Sequence, residues 1–321
     1  MSLVRDSAIL SVFLYLQLAT MKKSRSVFFT AVAVLAVICG WIPRPVHGAD
    51  VPPLSDAIVG EEFLYTVQQG ESLTKIGARF GENPALLARE NGLRFPSVLK
   101  SGMSLKIDNR HIVPNSDLAN GILINIPQRM LFHIRSTTLR TAYPVGLGRP
   151  SWPTPTGRFR IIGMQRDKEW IVPASIQEEM RQAGKEILTR VPPGPDNPLG
   201  KYWIGLSLGN IGVHGTIAPS SVYHFQSHGC VRLHPDDIES LYAETAVGER
   251  GNIVYFSVLV ARVAERLYLE VNGDIYKRGI NPLAVVREIS EQDGLDDLID
   301  WNRVDAVIEE KAGIAREVGR R

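Results

Sequence analysis

The chain has 321 residues, 44% hydrophobic and 22% charged, with 36 basic against 34 acidic side chains. This is ordinary globular composition for roughly two domains with extensions, and it excludes a disordered, collagen-like or polytopic membrane chain. Residues 1–48 hold five basic residues and one acid, leaving 31 basic and 33 acidic residues beyond them, so the charge does not point to a nucleic-acid partner.

The first expected element is an export signal within residues 1–48. Met21 to Arg25 is a basic start, and Met21 is the more natural first residue. Val27 to Ile42 is a 16-residue uncharged run. Val46-His47-Gly48 fits a small-x-small cleavage site, placing the mature terminus near Ala49. A retained anchor is the alternative, although 16 residues fall short of the roughly 20 that a span needs. Cys39 lies in the apolar run and leaves with it. Ile38 before it argues against lipidation. The exported chain then keeps one thiol, Cys230, which is either incidental or reactive.

Residues 49–62 read as a linker. Phe63 to Val67 has strand composition, and Gln68-Gln69-Gly70 turns. Leu73, Ile76 and Phe80 have helical spacing, and Gly81 stops that helix. Asn83-Pro84 opens a second helix as cap and first turn, and Asn91-Gly92 ends it. Leu99 to Ile107 closes with a strand. The order is β-α-α-β over residues 63–108.

This unit resembles a LysM module. The residues carrying the likeness are Tyr65-Thr66-Val67, Gly70-Glu71-Ser72-Leu73, Ile76-Gly77, Phe80, Leu87, Asn91-Gly92-Leu93 and Gly102 to Ile107. The resemblance implies binding to glycans containing N-acetylglucosamine, and hence to peptidoglycan.

Residues 109–120 read as a second linker, and from 121 to 259 the pattern is strand-rich. Ile122 to Ile126 and Met130 to Ile134 predict a hairpin. Arg158 to Met164 is a further strand. Trp203 to Leu208 and Ile211 to Val213 flank Gly209-Asn210 as a second hairpin. Residues 182–202 form a long loop, of the kind that often carries function. Pro235 to Tyr242 is a short helix, with Asp236 and Asp237 as helix-start acids, and Gly251 to Val258 a last strand. Residues 260–321 form an extension. In it Arg266 to Val271 and Asp274 to Arg278 are expected to pair across Asn272-Gly273, and 282–318 to be helical. No chemistry is legible there.

Four of the seven histidines lie between 214 and 234, together with Cys230. His214-Gly215-Thr216 is followed by Ser227-His228-Gly229-Cys230-Val231-Arg232. A thiol attacks as thiolate, and an imidazole beside it removes the proton. Glycine before the nucleophile permits a sharp turn, and backbone N–H groups there can hold an oxyanion. Arg232 offers a planar fork for a carboxylate.

The stretch resembles the catalytic motif of the YkuD-like L,D-transpeptidases. Tyr143 to Gly146, Pro153 to Phe159 and Pro193 to Gly200 add to the likeness. It implies a mainly β catalytic domain, an L,D-transpeptidase-like β-sandwich, beside the small βααβ LysM domain and a partly helical C-terminal extension. It also implies acyl transfer from peptidoglycan stem peptides with no cofactor, acylation by carbapenems, and an exported, periplasmic or envelope location.

In that reading Cys230 is the nucleophile and His214 the base, with His228 supporting or sharing the role. Gly229 and Cys230 give backbone donors, Ser227 a hydrogen bond, and Arg232 orders substrate or loop. Tyr223, Phe225 and Thr216 line the pocket, although Tyr223 and Phe225 equally suit a core. The acceptor is another stem peptide, an envelope lipoprotein or water. The loop at 191–200 resembles that of transpeptidases that attach lipoproteins, which tilts the expectation toward that acceptor. Two other readings stay open: a catalytically silent wall-binding protein, and a zinc peptidase using His214, His228 and Cys230.

Overall fold

A computed structural model describes residues 51–320. The expected export segment lies outside the described residues. Among the described residues, no helix is long and apolar enough to cross a membrane.

Strand β1 (Ile58–Val59) leads into β2 (Glu62–Thr66), α1 (Leu73–Phe80), α2 (Pro84–Glu90) and β3 (Ser104–Asp108), followed by β4 (His111–Ile112). Ser72 starts α1 by accepting the Lys75 N–H on its side chain, and Gly81 ends it in the left-handed conformation at φ 79°. Asn83 caps α2 through its side chain, with Pro84 in the first turn. β2 and β3 pair antiparallel. Leu73, Ile76, Leu87, Leu105 and Ile107 close a small core between helices and strands.

The described parts of the two expected linkers are built into the fold. β1 pairs with β4, Ser55 bridges Ala261, and Ser55 Oγ donates to Val113 O at 2.6 Å. His111 and Ile112 are fully buried. These segments carry too few apolar residues to reveal pairing by pattern, because their partners are distant in sequence.

Next come β5 (Gly121–Asn125), β6 (Met130–Arg135), β7 (Thr138–Pro144), β8 (Leu147–Gly148), β9 (Gly157–Arg166) and β10 (Trp170–Ile171). They are followed by α3 (Ala174–Gln182), β11 (Arg190–Val191), β12 (Tyr202–Leu206), β13 (Gly212–His214), β14 (Phe225–Ser227), β15 (Val231–Arg232), α4 (Pro235–Glu244) and β16 (Arg250–Val254). Eight of these strands form one sheet, ordered β15-β13-β12-β9-β16-β5-β6-β7. The sheet curls, so that Gly146, just after its last strand, bridges Arg232 in its first. β5 is buried on both faces, which explains its unbroken apolar run. Ile122 and Ile124 join the main core, while Leu123 packs with Phe132 and Tyr223 on the other side.

The chain ends with β17 (Val258–Val263), β18 (Arg266–Val271), α5 (Pro282–Asp293), α6 (Trp301–Glu310) and β19 (Arg316–Glu317). Val258, Val260, Leu267, Leu269 and Val271 present one face to Val285, Val286, Ile289, Val304 and Val307 of the helices.

The expected turn at Asn272-Gly273 is overturned. The hairpin turns at Ala264-Glu265, with Ala264 at φ 52°. Asn272 is buried and donates to Glu270 Oε1 at 3.1 Å. A side chain engaged in the interior leaves the Asn-Gly pair without its usual role. Asp274 to Arg278 is a loop in which Tyr276 donates its hydroxyl to Gly148 O of β8 at 2.7 Å.

Candidate active site

Register brings the motif residues together. β13 pairs parallel with β15, His214 opposite Arg232 and Val213 opposite Val231. β12 pairs antiparallel with β13, Trp203 opposite His214 and Gly205 opposite Gly212. Paired residues share a face and neighbours alternate. Ile204, Val213 and Val231 enter the core, so Trp203, His214 and Arg232 stand on the other face. Cys230, the only free cysteine among the described residues, precedes Val231 and lies level with Gly212.

The imidazole of His214 is held tightly. Its Nδ1 lies 2.6 Å from Gly215 O. A carbonyl only accepts, so the proton sits on Nδ1 and Nε2 keeps the lone pair. The ring stacks on Trp203 at 5.7 Å between centroids and 21° between planes. Glycine at 212 makes this possible, since a Cβ there would lie 2.4 Å from the indole. Burial, and next the charge of Arg232, push the His214 pKa down to about 4, against an upward pull from the Gly215 and Leu199 carbonyls.

The thiol of Cys230 is pushed above its ordinary value, chiefly by burial, against a hydrogen bond from the Gly212 backbone and the Arg232 charge. Burial holds the Arg232 pKa below its ordinary value, against an upward pull from Cys230. The resting pair is therefore neutral thiol and neutral imidazole beside a guanidinium with no carboxylate partner among the described residues.

The loop that carries Cys230 is closed on itself. Ser227 Oγ donates to Cys230 O at 2.6 Å and accepts the Gly229 N–H at 3.1 Å. Of the two expected backbone donors, Gly229 is thus occupied, whereas the Cys230 N–H meets no acceptor among the described residues. Gly229 sits at φ 104°, a region that L side chains rarely adopt.

His228 turns elsewhere. Its Nε2 lies 3.0 Å from Glu179 Oε2 on α3 and 3.0 Å from Arg149 Nη2, and its ring lies 5.5 Å from that of Trp152. Tyr223 is buried among Leu123, Met130 and Phe132, under the Arg129 guanidinium at 4.0 Å. Phe225 packs against the main core. Thr216 accepts the Ala218 N–H at 3.0 Å and shapes the turn after His214. Among the described residues no three His, Cys, Asp or Glu side chains converge as a metal-binding set.

Several residues at the site were not anticipated: Trp203, Arg149, Glu179, Thr154 and Tyr276. Trp203 carried a signal, since Gly205 and Gly212 lie on its side of two adjacent strands and leave room for a large ring.

A mainly β fold with a thiol and a buried imidazole on neighbouring strands is the architecture of a cysteine acyl-transfer enzyme. A family model for the L,D-transpeptidase catalytic domain (YkuD) matches residues 119–255, and one for the LysM domain matches residues 65–108. The chain is 29% identical over 240 residues to the probable L,D-transpeptidase YcfS of Escherichia coli K12, covering 73% of this chain and 74% of that one. It is 26% identical over 283 residues to the probable L,D-transpeptidase ErfK/SrfK of Salmonella typhimurium, covering 82% and 88%. It is 30% identical over 200 residues to the putative L,D-transpeptidase YkuD of Bacillus licheniformis, covering 60% and 98%. The chain belongs to the L,D-transpeptidase family and carries a LysM domain ahead of its catalytic domain.

Proposed function

We propose that this protein is an envelope L,D-transpeptidase that forms a thioester on Cys230 from a peptidoglycan stem peptide and passes the acyl group to an amine. The observation that carries the reading is the convergence of a lone thiol, a buried imidazole with its lone pair on Nε2, and an unpaired guanidinium at one sheet edge.

Cys230 Sγ attacks the amide carbonyl while His214 Nε2 takes the thiol proton. Both groups rest neutral, so proton transfer accompanies attack. The carbonyl oxygen becomes an anion facing the Cys230 N–H. Collapse breaks the C–N bond, and His214 returns the proton to the leaving amine. The acceptor amine then attacks the thioester, loses its proton to His214 and releases the thiol. Arg232, which has no carboxylate partner among the described residues, suits a carboxylate of the stem. The LysM domain holds the enzyme on glycan. A stem-peptide amine, a lipoprotein lysine and water draw on the same acyl-enzyme.

Intact-protein mass tests this directly. A tetrapeptide stem donor, and separately a carbapenem, should add mass to the wild type and none to Cys230→Ala. His214→Ala should slow acylation by roughly 10²–10⁴-fold. An adduct that persists in Cys230→Ala defeats the mechanism. Muropeptide masses from cells carrying either form identify the acceptor.

A further inference from the structure

The hydroxyl of Tyr276 lies far from the motif in sequence and close to it in space. It donates to Gly148 O at 2.7 Å and accepts the Thr154 N–H at 3.0 Å, so both of its capacities are used to pin the 148–154 turn. Thr154 Oγ1 accepts the Gly148 N–H at 2.9 Å and donates to Gly229 O at 3.0 Å. Thr154 is almost wholly buried. The chain of bonds thus runs from the C-terminal extension to the peptide linking Gly229 and Cys230.

That peptide is planar and trans, so its C=O and N–H point in opposite directions. A carbonyl drawn toward Thr154 turns the Cys230 N–H away from Thr154, and that N–H is the donor left without an acceptor among the described residues. Glycine at 229 provides no side chain to fix the plane, so its direction is set by hydrogen bonds.

The brace is itself rigid. The Tyr276 N–H donates to Tyr255 Oη at 2.9 Å, and Tyr255 Oη donates to Asp274 Oδ1 at 2.7 Å. The two tyrosine rings stack at 5.6 Å. Asp274 also accepts the N–H groups of Arg278 and Gly279 at 2.9 and 2.8 Å.

We infer that Tyr276 is a positioning residue, which acts through Thr154 and Gly229 to aim the Cys230 N–H at the developing oxyanion. The C-terminal extension is thereby part of the catalytic unit. This rests on Cys230 being the nucleophile.

Two reactions of the same thiol separate this role from general support. Acylation by a carbonyl donor builds an oxyanion, whereas alkylation by iodoacetamide displaces iodide at a saturated carbon and builds none. Tyr276→Phe in the full chain keeps the ring and loses both hydroxyl bonds. It should slow single-turnover acylation by the stem donor about tenfold or more, within the scale set by loss of an oxyanion donor, and change alkylation less than about twofold. Thr154→Val should repeat that split, and Thr154→Ser should restore acylation. Unchanged acylation in both Tyr276→Phe and Thr154→Val, or alkylation falling in step with acylation, overturns the inference. Retained acylation in Cys230→Ala would instead defeat the nucleophile assignment, which is a separate result.

Discussion

The proton inventory of His214 governs how the site responds to pH. Burial with the Arg232 charge lowers its pKa to about 4, so the imidazole is a free base from mildly acidic conditions upward. A base whose pKa is lowered loses competence only as pH falls through the lowered value. The acid limb of kcat/KM should therefore lie near pH 4, well below the ordinary histidine value of about 6.5. A pH–rate profile with its acid limb between 6 and 7 would take the role from His214. The motif residues His214, Cys230 and Arg232 were legible together because they are near in sequence and lie on or just before two adjacent short strands. His228 stood beside Cys230 in the motif, but its ring is turned to Glu179 and Arg149. Thr154 and Tyr276 were not legible as partners, since 122 residues separate them and no periodicity marks a single hydrogen bond.

At the level of elements, α3 is an outlier. None of its residues is buried, and Pro173 at its start makes no side-chain cap. Its tie to the site is Glu179, which meets both Arg149 and His228. The hydrogen bond from His228 leads the causes that hold the Glu179 carboxyl below its usual range. The tie is thus present at neutral pH and lost as pH falls through that lowered value. Solvent screens an exposed cluster of this kind, so it acts on local opening rather than on global stability. Glu179→Ala should accordingly speed amide exchange across 172–183 severalfold while leaving global melting unchanged within about 1 °C. Exchange identical to wild type would show that α3 is held by other contacts. The helix escaped sequence reading because Ile176 and Met180 are its main apolar residues and both stay half-exposed, so no stripe appears. The β-α-α-β unit was legible for the opposite reason: its caps, turns and apolar spacing are all local. The hairpin of the extension was misplaced because a buried Asn272 imitates a turn signal.

At the scale of the molecule, and among the described residues, the LysM domain is packed onto the catalytic domain, not strung from it. Arg79 of α1 lies 3.1 Å from His234 Nδ1 and 3.5 Å from Asp237, just beyond the nucleophile loop. Arg316 of β19 reaches Glu90 on α2 and Asp108 on β3 at 3.1 Å. Linker composition concealed this, because the contacts are polar and join segments more than 100 residues apart. The deepest junction is Glu270 on β18, which is fully buried. Its carboxylate lies 3.1 Å from His111 Nδ1 and accepts from Ile112 N at 2.7 Å, Gln128 Nε2 at 2.9 Å and Asn272 Nδ2 at 3.1 Å. The second nitrogen of His111 reaches Gly81 O at 2.9 Å, so one carboxylate ties the LysM domain, the large sheet and the extension. Removing it strands buried groups of β4, of the turn between β5 and β6 and of the extension, and breaking a buried paired network costs about 3–5 kcal/mol. Glu270→Ala should lose stability on that scale in urea denaturation. Glu270→Gln should also destabilise, because its amide NH₂ must face a donor. Glu265→Ala, at an exposed side chain, should stay within about 0.5 kcal/mol of wild type. If Glu270→Ala lost less than about 1 kcal/mol, the three parts would be held together by their apolar cores, and the buried carboxylate would contribute little to their union.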